Sequence, residues 1–186
     1  MKSIKEAIRI IKNGGVIVAP TDTVYGLICD ATNQKAVERL FKIKQRPKNK
    51  AVPIFVKDVE TAKKLAEIDK AQEKFLEKVW PGKITAVLKL KNQRSKLYGV
   101  GKITVALRVP GSKLILELLK KTKKPLTGTS ANVSGQPASG NVKEVLRQFE
   151  GRKYQPDLVI DAGSLPGSNP SKIIDLTVFP YKTLRQ

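Results

Sequence analysis

The sequence predicts an α/β protein: a twisted, open mixed sheet with flanking helices. Short apolar runs suited to buried strands alternate with amphipathic stretches of helical period along the whole chain. The two kinds of element follow each other irregularly rather than in strict strand–helix–strand order, which favours mixed pairing over a regular doubly wound sheet. No repeat, low-complexity tract or long linker breaks the pattern. With 186 residues, 40% of them apolar, the chain has material for a real core and reads as one domain, 1–186.

The elements follow in order. Ser3 and Glu6 form a capping box for a helix whose inner face carries Ile4, Ala7, Ile8 and Ile11, and Asn13-Gly14-Gly15 ends it. Val16 to Ala19 is a buried strand closed by Pro20. A helix runs from about Asn33 to Lys44 with Ala36, Val37, Leu40 and Phe41 inward. Val52 to Val56 reads as a strand, Asp58 caps a helix through Ala66, and Asp69 starts another that stops before Trp80-Pro81-Gly82. Two strands follow, Ile84 to Leu90 and Ile103 to Val109, then a helix capped by Ser112. A short strand, Leu126 to Thr129, runs into the polar loop Ser130 to Gly140. A helix from Val142 to Phe149 and strands at Leu158 to Asp161, Ile173 to Leu176 and Thr183 to Leu184 complete the chain.

Composition removes whole classes of chemistry. There is no histidine, so Ser-His-Asp and Cys-His triads, histidine bases and histidine-containing zinc sites are excluded. The single cysteine, Cys29, excludes an internal disulfide and any cysteine cluster. Lys plus Arg number 36 against 16 Asp plus Glu, a formal charge of +20. Such an excess attracts phosphates on RNA or on nucleotides, and it equally suits the solvated surface of a heat-adapted protein. No apolar run approaches the roughly 20 residues that span a bilayer, and residues 1–6 read as a helix entry rather than a signal peptide, so the expected location is the cytoplasm. Neither a P-loop nor a dinucleotide-binding glycine fingerprint is present.

Four polar segments remain as candidates for a site. Pro20 to Leu27 places Thr21, Asp22 and Thr23 directly after a buried strand, as a pocket edge or as a turn whose side chains bond their own backbone. Lys44 and Arg46 flank one residue at a helix end; an extended chain before Pro47 puts both cations on one side, where they suit a polyphosphate or simply offset the helix dipole. Thr127 to Gly135 crowds hydroxyls, an amide and two glycines into a loop fit to bind an anion or purine, or into an ordinary surface loop. The fourth is split: alternation places Thr104, Ala106 and Arg108 on one strand face, and Asn169-Pro170-Ser171 and Arg185 lie near the C-terminus.

Taken together, these segments resemble the YrdC/TsaC family of threonylcarbamoyl-AMP synthases. The matching stretches are Pro20 to Leu27, Ile43 to Pro47, Trp80-Pro81-Gly82, Val105 to Pro110, Thr129 to Gly135 and Asn169 to Asp175, in the family's order and spanning nearly the whole chain. The resemblance, to the short form without an extra C-terminal domain, implies a concave basic cavity in the sheet. It implies a nucleotidyltransferase that condenses L-threonine, bicarbonate or CO₂, and ATP to threonylcarbamoyl-AMP and pyrophosphate, with Mg²⁺ carried on the ATP. This is the first step of threonylcarbamoyladenosine formation at tRNA position 37, with a downstream transferase complex as partner. By the same resemblance Lys44, Arg46 and Arg185 hold the triphosphate, with Lys44 and Arg46 as the catalytic pair. Thr104, Ser130 and Asn132 hold the rest of the nucleotide; Arg108 and Ser171 take the threonine carboxylate, with Thr21 and Thr23 on the substrate side. No residue is expected to ligate a metal. The chain departs from many relatives in carrying Gly111-Ser112-Lys113 after Arg108-Val109-Pro110, and Phe55 near the place of a histidine. Two other readings are an RNA-binding module for tRNA or double-stranded RNA without turnover, and a carbamoyl-transfer domain.

Overall fold

The computed structural model describes residues 4–91, 96–167 and 169–186. Ser3 of the expected capping box lies outside them. Helix α1 (Ile4–Lys12) buries Ala7 and Ile11 and stops at Gly14, whose φ of +79° is the left-handed conformation that glycine permits. Strand β1 (Ile17–Pro20) does not end the pairing at Pro20, because residues 21–24 turn the chain back into an antiparallel β2 (Tyr25–Ile28), with Pro20 opposite Tyr25. The strand β2 is absent from the sequence expectation. All four of its residues are buried, so it shows no in–out alternation to mark it as a strand.

The helices α2 (Gln34–Lys44), α3 (Val59–Leu65) and α4 (Lys70–Val79) start where the sequence places them, with Asn33, Asp58 and Asp69 accepting from backbone N–H groups of the first turn. Between α2 and α3 the expected strand shrinks to β3 (Ile54–Phe55). Next come β4 (Ile84–Lys89), β5 (Thr104–Arg108) and α5 (Lys113–Thr122), whose N-cap is Ser112. The single strand expected at Leu126 to Thr129 is two: β6 (Leu126–Thr127) and β7 (Thr129–Ser130), divided at Gly128. Helix α6 (Val142–Phe149), β8 (Leu158–Val159), β9 (Lys172–Asp175) and β10 (Lys182–Arg185) finish the chain.

The α/β class holds, with the strands shared between two mixed sheets. One has the order β7-β2-β1-β8 and the other β10-β9-β4-β5-β3-β6. Gly128 carries the chain from one to the other: Thr127 pairs with Ile54 in the second sheet, and Thr129 pairs with Leu27 in the first. The first sheet is covered on both faces. Val16 and Val18 pack into one apolar cluster with Leu40, Leu76 and Leu107, while Ile17 and Ala19 pack into another beneath α1 and α5 with Ile115 and Leu118. Among the described residues no helix is long and apolar enough to cross a membrane.

Candidate active site

Where the two sheets approach each other they leave a cavity of about 560 Å³. Nine of the ten residues singled out from the sequence line it; Thr104, one step further along the same face of β5 than Ala106, does not. The charged lining residues are Lys44, Arg46, Lys50, Arg108 and Arg185, and none of the described lining residues is acidic. The result is a concave, cationic enclosure of the kind that concentrates anions.

Lys44 and Arg46 share a side of the cavity for a different local reason than an extended chain. Lys44 is the last residue of α2, and Gln45 takes a left-handed C-cap conformation (φ 50°), its N–H donating to Lys42 O and Phe41 O. The Lys44 side chain is buried, and its three ammonium hydrogens meet three oxygens: Ser130 O at 2.7 Å, Asn132 O at 3.0 Å and Asn132 Oδ1 at 2.7 Å. These acceptors favour the charged form, but burial, with the Arg46 cation second, pushes the pKa down to about 7. Lys44 thus braces the loop after β7. Arg46 holds the next loop: Nε donates to Lys50 O at 2.8 Å and Nη2 to Ala51 O at 2.7 Å.

The polar loop is internally bonded to a similar degree. Ser130 Oγ donates to Asn132 Oδ1 at 2.6 Å, and Asn132 Nδ2 donates to Val133 O and Gln136 O. Thr21 Oγ1 donates to Val24 O at 2.6 Å and accepts from Thr23 N, so these threonines close a turn and line the cavity at once. Arg185 is anchored in β10, paired with β9, and its Nε and Nη2 donate to Ser171 O at 3.0 and 2.6 Å. Ser171 Oγ lies 2.9 Å from Thr85 Oγ1.

Arg108 is almost fully buried and is held by several groups at once. Its Nε donates to Gly82 O at 2.8 Å and its Nη2 to Asp22 Oδ2 at 2.6 Å, while the Phe55 ring centroid lies 5.7 Å from its guanidinium carbon. Burial lowers the pKa values of Arg46, Arg108 and Arg185 from their ordinary range, though a guanidinium stays charged at any working pH. Two buried oxygens have no partner among the described residues: Asp22 Oδ1 and Ser134 Oγ. Lys50, Phe55 and Ser134 join the lining without having been proposed as site residues. Lys50 belongs to the basic run after Arg46 and Ser134 to the polar loop, so proximity in sequence was the available signal; Phe55 carries no chemical one.

The chain has counterparts in sequence and in fold. The sequence profile of the Sua5/YciO/YrdC family, described as "Telomere recombination", matches residues 9–186, and the chain belongs to that family. Threonylcarbamoyl-AMP synthase of Pyrococcus abyssi is 33% identical over 183 residues, covering 98% of this chain and 53% of its own length. The chain therefore spans about half of that relative. Threonylcarbamoyl-AMP synthase of Vibrio vulnificus is 32% identical over 176 residues, covering 87% of this chain and 95% of its own. The crystal structure of P. abyssi Sua5 complexed with L-threonine superposes with a TM-score of 0.89 at 33% identity, over 98% of this chain and 53% of that one.

Proposed function

We propose that the chain is a nucleotidyltransferase that condenses L-threonine, bicarbonate or CO₂, and ATP to threonylcarbamoyl-AMP and pyrophosphate. The observation that carries this reading is the cavity in which Lys44, Arg46, Arg108 and Arg185 meet the hydroxyl-rich loop, with no carboxylate among the described lining residues to repel an anion. Relatives matched over most of this chain bear that activity in their names, and one is described with L-threonine bound.

In the proposed mechanism the threonine amine attacks CO₂, loses a proton and becomes a carbamate. A carbamate oxygen then attacks the α-phosphorus, and pyrophosphate leaves. Two anions must be brought together, so positioning and neutralisation of charge supply most of the catalysis. Arg46, Arg185 and the charge of Lys44 face the triphosphate, with Lys44 and Arg46 next to the developing charge. Ser130 and Asn132 shape the loop around the nucleotide, and Thr104 joins them only if nucleotide binding extends past Ala106. Arg108 and Ser171 hold the threonine carboxylate, beside Thr21 and Thr23. A lining with no carboxylate among the described residues suits Mg²⁺ that arrives on the phosphates rather than on side-chain ligands. The product, a mixed anhydride, requires a transferase that moves its acyl group to tRNA adenosine 37.

The test is pyrophosphate release from ATP and bicarbonate with and without L-threonine. Threonine-dependent release is expected. Absence of release together with tight, salt-sensitive RNA binding would overturn the reading in favour of an RNA-binding module.

A further inference from the structure

Arg108, assigned above to the threonine carboxylate, is held in a way that points beyond the cavity wall. Asp22 is not a lining residue; it sits behind Arg108, in the turn between β1 and β2. Its Oδ2 accepts from Arg108 Nη2 at 2.6 Å and from Gly111 N at 2.9 Å, so one oxygen ties the turn, the end of β5 and the segment leading to α5. The ion pair is nearly dry, with side-chain exposures of 4% for Arg108 and 14% for Asp22. Gly82 O takes the Nε hydrogen and the Phe55 ring lies close to the guanidinium. Of the planar fork, Nη1 is left without a partner among the described residues, on a side chain that lines the cavity.

We infer that Asp22 is a positioning residue for substrate binding: it fixes the plane of the Arg108 guanidinium so that the remaining edge meets the carboxylate of the amino-acid substrate. The inference rests on the reading of Arg108 given above and deepens it. The physical alternative is simple charge compensation, and the two have opposite signs. A carboxylate that only neutralises Arg108 weakens every anion near it, so removing its charge tightens binding. A carboxylate that orients the fork improves the binding of a planar, two-oxygen ligand, so removing it loosens that ligand.

The experiment compares the full chain with Asp22→Asn, reading L-threonine and ATP affinities by calorimetry and the order of the Arg108 Nη hydrogens by ¹⁵N NMR. In Asp22→Asn, threonine affinity is expected to fall on the order of 10- to 100-fold, the usual weight of a hydrogen bond to a charged group. ATP affinity stays within about twofold, as expected for sites that do not share the contact. The Arg108 Nη hydrogens, one of which Asp22 accepts, lose protection while Nε–H keeps its bond to Gly82 O. Equal or tighter threonine binding overturns the inference, as does a matching loss of ATP affinity. If Asp22→Asn does not fold, Asp22→Glu is read the same way: it keeps the charge and shifts the oxygens, so unchanged threonine affinity overturns positioning. If the unaltered chain binds no threonine, the functional reading fails, and the NMR signal alone decides. Arg108 Nη hydrogens equally ordered with and without the Asp22 carboxylate then refute the inference.

Discussion

Replacing Gly128 by alanine probes the point where the chain passes between the two sheets. A Cβ built there lies 2.6 Å from Phe55 Cε1 and 2.8 Å from both Cδ1 and Cζ. Carbon atoms pack best at about 3.5–4.0 Å, so the ring has to retreat by roughly 1 Å. It has little room, because Phe55 is 2% exposed and lies beside Arg108 in the second apolar cluster. Nor can the glycine easily move away, since its N–H donates to Pro53 O at 2.7 Å. Overpacking of this kind costs about 1–3 kcal/mol, and a ring confined on two sides belongs near the upper end. Alanine recovers about 0.4–1 kcal/mol by restricting the unfolded chain. The net expectation is a destabilisation of about 1–2 kcal/mol, or a Tm lower by roughly 2–8 °C for a chain of this size. Urea unfolding of the parent, Gly128→Ala, Phe55→Leu and the double variant checks the cause. Leucine opens the space that the new methyl needs, so the two changes should couple by about 1 kcal/mol or more. Strict additivity, or a Gly128→Ala chain as stable as the parent, would refute the reasoning.

Other predictions concern the charged groups and one hydroxyl. Lys44 has a folded-state pKa of about 7, below its ordinary 10.5, so the unfolded chain binds that proton more tightly and this group's contribution to stability rises with pH between those values. The phosphates of ATP favour the ammonium, so ATP binding near pH 8 should take up a proton; calorimetry in two buffers of different ionisation enthalpy should show it, and Lys44→Met should abolish it. Arg185→Ala removes both donors to Ser171 O and one cation of the cavity, and a loss of ATP affinity on the order of tenfold is expected. Unchanged affinity removes Arg185 from the nucleotide site. Ser134→Ala deletes a buried hydroxyl without a partner among the described residues, so stability should hold or rise; a loss above about 1 kcal/mol would mean that the hydroxyl is bonded.

Helix starts were legible because caps act locally. Asn33, Asp58, Asp69 and Ser112 each accept from an N–H two or three residues on, and nothing distant alters that. Strands were less legible where burial is two-sided. Tyr25 to Ile28 has no alternation to read, and Gly128 interrupts what looks like one apolar run because the two halves pair in different sheets. The gathering of most candidate site residues in one cavity was anticipated through family resemblance; spacing alone left each segment with a plain structural reading. Part of that plain reading is also realised, since Thr21 and Thr23 close a turn and Lys44, Ser130 and Asn132 bond one another.

By itself, the sequence determined the α/β class, the positions of the helices, and the absence of histidine, disulfide and cysteine-cluster chemistry, since these follow from composition and from interactions a few residues long. Only the tertiary structure decided that the strands form two sheets, that Lys44 and Arg46 brace loops through carbonyl oxygens, and that Asp22 lies behind Arg108 across 86 positions of chain. The reason is that strand partners and the acceptors of buried cations are long-range neighbours. Packing brings them together, and no local pattern encodes the pairing.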